Sequence, residues 1–164
     1  MDIDYSLIRF IVEAIDFFLD IKDTTDVNPD KEMNLTNILN TADYDTKITS
    51  LVITAITLSY ADDGKLDKQE KRIIKRLIKD HRQSLSKEAI KNIKYIKRHQ
   101  MNKERLFRLY SRLNVNKQTA LTIIDELDSL LDYSQSNIIK KRTFLKELKT
   151  DVIIRMTEYN EHSR

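Results

Sequence analysis

The chain of 164 residues has no cysteine and no tryptophan, one glycine and one proline. Without cysteine there can be no disulfide, thiolate metal site or thiol nucleophile, and the composition suits a reducing, cytoplasmic setting. A lone glycine cannot build a glycine-rich loop to cradle a nucleotide phosphate. So little turn chemistry also rules out hairpins and sandwiches, which leaves helix for nearly everything. Other signatures are missing too. His81, His99 and His162 stand in no metal-ligand spacing, and no serine sits in a Gly-x-Ser-x-Gly or Ser-x-x-Lys context. Glu13, Asp16 and Asp20 share a helical stripe, but no Glu-x-x-His pair joins them as a di-metal bundle requires. An enzyme is therefore not expected.

Charged residues make up 34% of the chain and hydrophobic ones 40%, enough apolar content for a folded bundle and too much for a disordered chain. The opening residues Met1-Asp2-Ile3-Asp4 are acidic where a secretion signal starts basic, so secretion is not expected. Residues 3–21 are apolar enough to raise a membrane span. However, Arg9, Glu13, Asp16 and Asp20 recur at steps of four, three and four, the polar stripe of an amphipathic helix.

Apolar spacing predicts an all-α, single-domain bundle of about seven helices over residues 1–164. The first runs from about Asp4 to Asp20. Residues 22–33, with Asn28-Pro29, read as a long exposed loop, and a short helix is expected near 34–39. Thr46 to Tyr60 is apolar around most of its circumference. Its β-branched residues allow a strand, but its length without turn signals favours a central helix. Further helices follow over 67–83, 86–99, from Asn102, from Asn116 and over 136–159. No repeat or linker divides the chain.

The only glycine lies in Ser59-Tyr60-Ala61-Asp62-Asp63-Gly64-Lys65-Leu66-Asp67-Lys68-Gln69-Glu70. Set on a calcium loop with Gly64 at its sixth position, Asp63, Asp67 and Glu70 fall on ligand positions. Ser59 and Ala61 then occupy positions that need carboxylate or amide oxygens, so half the cage is missing. The stronger reading is a helix–turn–helix corner. Gly64 ends one helix in the left-handed conformation, while Asp67 and Glu70 form a capping box for the next. Asp62, Asp63 and Glu70 are then candidates for an acidic recognition point or weak divalent-metal site, with no other cofactor expected.

The buried helix ending in Ala61-Asp62-Asp63-Gly64, followed by Lys65-Leu66 and Glu70, resembles the tellurite-resistance TerB-like family, which includes the N-terminal domain of DjlA-type co-chaperones. The likeness covers about residues 47–80, and an extra aspartate widens the family's alanine–aspartate–glycine turn. The resemblance implies an all-α, non-catalytic module used in stress responses or beside membrane assemblies, with weak metal binding at the acidic turn.

Charge is unevenly distributed. Residues 1–46 carry three Lys/Arg against eleven Asp/Glu, whereas residues 47–118 carry nineteen against seven. Lys68, Lys71, Arg72, Lys75, Arg76, Lys79 and Arg82 recur at helical spacing on one side, and Lys91, Lys94, Lys97 and Arg98 do the same on the next helix. A solvated face is the ordinary explanation. The functional one is an anionic partner held by Lys68, Lys71, Arg72, Lys75, Arg76 and Lys79. The expected function is a protein-interaction module, stress- or defence-related, and the partner class expected first is a protein. A small nucleic-acid-associated regulator or inhibitor from a mobile element is the alternative. An anionic membrane surface comes third.

Overall fold

The computed structural model describes residues 5–21, 34, 37, 44–135 and 137–156. Seven α-helices stand among them: α1 (Tyr5–Phe18), α2 (Tyr44–Asp63), α3 (Lys68–Asp80), α4 (Lys87–Arg98), α5 (Lys103–Arg112), α6 (Lys117–Leu130) and α7 (Ile138–Asp151). Short 3-10 turns follow α3 and α6, and a π turn (Val152–Met156) extends α7. The chain is an all-α bundle, as its spacing predicts. The loop expected over residues 22–33 lies outside the described residues, as does most of the short helix expected over 34–39.

The bundle is organised around α2, which packs on α1, α4, α5, α6 and α7, while α3 rests on α1 and α4. Ile48, Leu51, Ile53, Ile56 and Leu58 of α2 are wholly buried. So are Thr49, Ser50, Thr54 and Thr57, which need internal partners for their hydroxyls. Each bonds the carbonyl four residues back, at 2.6–2.8 Å. Thr54 Oγ1 also lies 2.5 Å from the Tyr110 hydroxyl. The threonines therefore leave a helix, not the alternative strand.

Starts and stops follow local chemistry. Asp67, Ser86, Asn102 and Asn116 each accept a bond from the third backbone N–H of the helix they open. Gly64 stands at φ 77°, its N–H 2.6 Å from the Tyr60 carbonyl. Where no glycine is available, Asp20 and Asn114 take left-handed conformations, both at φ 55°. At the end of α1, Ile21 N–H bonds Asp16 O and Asp20 N–H bonds Phe17 O; at the end of α5, Val115 N–H bonds Tyr110 O and Asn114 N–H bonds Ser111 O. Both are Schellman closures without glycine.

A clasp ties α1 to the α6–α7 corner. Ser134 Oγ and Lys141 Nζ both donate to Leu19 O, at 2.6 and 3.1 Å, and Gln135 N–H donates to Asp20 O at 2.9 Å. A one-residue antiparallel bridge pairs Ile21 with Ser134.

Candidate functional site

Two polar regions flank α3. The first is the acidic corner. Asp67 Oδ1 accepts from Glu70 N–H at 2.7 Å, and Glu70 Oε1 accepts from Asp67 N–H at 3.0 Å, which completes the expected capping box. Glu70 is buried and so committed to the helix start. The backbones of Asp62 and Asp63 close α2, while their side chains lie outside those described. Among the described residues, no three His, Asp or Glu side chains converge in a way that would hold a metal ion.

Beside the corner lies a polar cavity of about 510 Å³, bordered by Asp16, Asp20, Ser59, Glu70, Asn137 and Lys141 among others. Lys141 is 1% exposed, an unusual place for a lysine. Its ammonium meets the carbonyl end of α1, where the helix dipole favours a cation. Nearby, burial and the Glu70 carboxylate push the Tyr60 phenol up from its ordinary pKa. The Tyr60 hydroxyl donates to Ile96 O at 2.8 Å.

The second region is basic. A groove of about 350 Å³ runs between α3 and α4, lined by Lys75, Lys79, Arg82, Lys94, Lys97 and Arg98 around Ile78. Leu77 and Ile78 of α3, with Ile90, Ile93 and Ile96 of α4, are buried in the common core, and this sets the cationic faces side by side. Among the described residues, none of the ion pairs involves any of these six cations. Lys68, Lys71 and Arg72 are exposed further toward the start of α3, outside the groove. Arg76 leaves the stripe, its guanidinium 5.5 Å from the centre of the Phe10 ring of α1. Phe10 also meets His81, the cap of α3, at 5.1 Å between ring centres.

The structure thus brings Lys75 and Lys79 together with α4 cations and leaves Lys68, Lys71, Arg72 and Arg76 apart. Arg82, Lys94, Lys97 and Arg98 belong to the groove as firmly as the two it takes from the first set. Their equal helical spacing was the signal for including them. Neither family models, curated proteins nor solved structures give a match to this chain.

Proposed function

We propose that the protein is a non-catalytic binding module that holds a polyanionic partner in the groove between α3 and α4. One observation carries this reading: six cations, five from α3 and α4 and Arg82 from the turn between them, converge on one groove without carboxylate partners among the described residues. Like charges so placed repel one another, and a bound polyanion would relieve that repulsion. The floor at Ile78 gives the groove an apolar base against which lysine and arginine stems can lie. The TerB-like resemblance of residues 47–80 supports the same class of module, and a stress or defence setting comes from that resemblance.

Heparin affinity with a salt gradient tests the reading. Wild type is expected to be retained and to elute at elevated salt, because each released counterion adds to the salt dependence. The pair Lys79→Glu and Lys97→Glu, at an exposed and a half-buried groove position, should elute markedly earlier with an unchanged circular dichroism spectrum. Equal elution of the two proteins would overturn the proposal.

A further inference from the structure

The basic surface does not end at α4. Lys94 and Arg98 also line a second cavity of about 440 Å³, together with Lys91, Tyr95, His99 and Arg112. Within it the imidazole of His99 stacks on the Tyr95 ring, with centres 4.2 Å apart and planes 17° from parallel. Tyr95 is half-buried against the core, and His99 is exposed. His99 Nδ1 lies 3.0 Å from the Tyr95 carbonyl, a contact that fixes the orientation of the ring. An oriented aromatic ring therefore faces solvent between cations of α4 and α5.

We propose that the Tyr95–His99 stack is a base-stacking platform, and that the polyanion is a single-stranded nucleic acid. Its backbone lies along the α3–α4 groove, and one of its bases covers His99. This inference rests on the reading of the groove as a polyanion site, and it adds the partner's class.

The choice among polyanions follows from what the platform offers. Duplex nucleic acid keeps its base faces stacked inside the helix, so an exposed ring gains nothing from it. An unpaired base presents a π face, and stacking on an aromatic side chain is the recurrent means of holding single strands. An acidic protein surface supplies carboxylates for the groove but needs no ring beside it. Lys94 and Arg98 border both cavities, so a phosphate and its own base reach the groove and the platform together. Arg98 and Arg112 bring planar guanidinium groups that also pack on bases. Among the described residues, the one acid lining the second cavity is Glu88, in the first turn of α4, where its carboxylate contacts the Asn92 amide at 3.5 Å.

The test is fluorescence anisotropy with a labelled oligothymidylate and a duplex of the same length, run beside heparin binding. Wild type should bind the single strand more tightly than the duplex at equal salt. His99→Ala should weaken single-strand binding roughly tenfold, leaving heparin binding and the thermal midpoint unchanged, and His99→Phe should restore it. Equal affinity for duplex and single strand, or single-strand binding untouched by His99→Ala, overturns this inference while normal heparin binding keeps the groove reading. Wild type that binds neither heparin nor oligothymidylate overturns both.

Discussion

At the scale of single residues, Glu126 on α6 offers a pH-dependent probe. Burial pushes its carboxyl above the ordinary carboxylate range. The folded chain then holds this proton more tightly than the unfolded chain does, so the protonated form favours folding. Stability from this group falls as pH rises from the ordinary glutamate value of about 4.3 through the raised folded value. Glu126→Gln abolishes that loss. Its thermal midpoint should exceed that of wild type at neutral pH and coincide with it below about pH 4, which paired melts across pH will check. Lys141 shows where residue-level reading fails. In Ile138-Ile139-Lys140-Lys141-Arg142 a reader expects the isoleucines inside and the cations outside, yet Ile139 is 84% exposed and Lys141 1%. The apolar series Leu145, Leu148, Val152 and Met156, extended back by four, lands on Lys141. The spacing thus pointed inward, and the residue type argued against it. What reconciles them is the Leu19 carbonyl, 122 positions away, which no local pattern reaches.

At the scale of elements, the α2–α3 corner makes two separable demands. Among the described residues, a side chain at Gly64 would meet the Gln100 amide at 3.8 Å, an ordinary contact, so the obstacle is the backbone at φ 77°. Gly64→Ala should therefore cost about 1 kcal/mol through left-handed strain. Asp67→Ala removes the cap and should also cost about 1 kcal/mol. Urea unfolding of both single variants and the double will measure each cost and any coupling between them. Helix beginnings were legible, because an Asp, Ser or Asn N-cap acts through its own side chain within one turn. Helix ends were less so. Asp20 and Asn114 occupy positions where a glycine would have announced the stop, and nothing in their identity distinguishes them from ordinary polar residues. The last helix, expected to continue to Tyr159, gives up α geometry after Asp151 for a π turn. There Arg155 sits 4.0 Å from the centre of the Phe107 ring and pairs with Glu104 at 3.0 Å.

For the whole molecule, one core reached by five helices through α2 implies a single cooperative unit. Leu51, wholly buried in α2, is the place to test this. Leu51→Ala should cost about 2–5 kcal/mol. Tyrosine fluorescence and far-ultraviolet circular dichroism should still report one coincident transition; separated transitions would mean that part of the bundle unfolds alone. At this scale composition and spacing gave the fold class, since a chain with one glycine has few other architectures open to it. The groove and the stacked pair were only half visible. Tyr95 and the cap residue His99 are four apart at the end of α4, a spacing that permits stacking, but the apposition of α3 and α4 depends on how α3 buries its apolar face against α1 and α4 while α4 packs on α2.

The clasp at Leu19 also sets an order of events. The apolar face of α1 can dock as soon as α2 exists, but the carbonyls of Leu19 and Asp20 must wait for Ser134, Gln135 and Lys141. On the ribosome, the first helix is made long before the groups that complete its end. Until residues 134–141 arrive, those carbonyls depend on water, and Lys141, the last of the three donors, comes only with α7. A segment made more than a hundred residues later therefore latches α1, and a nascent chain that stops before α7 lacks the Lys141 part of that latch.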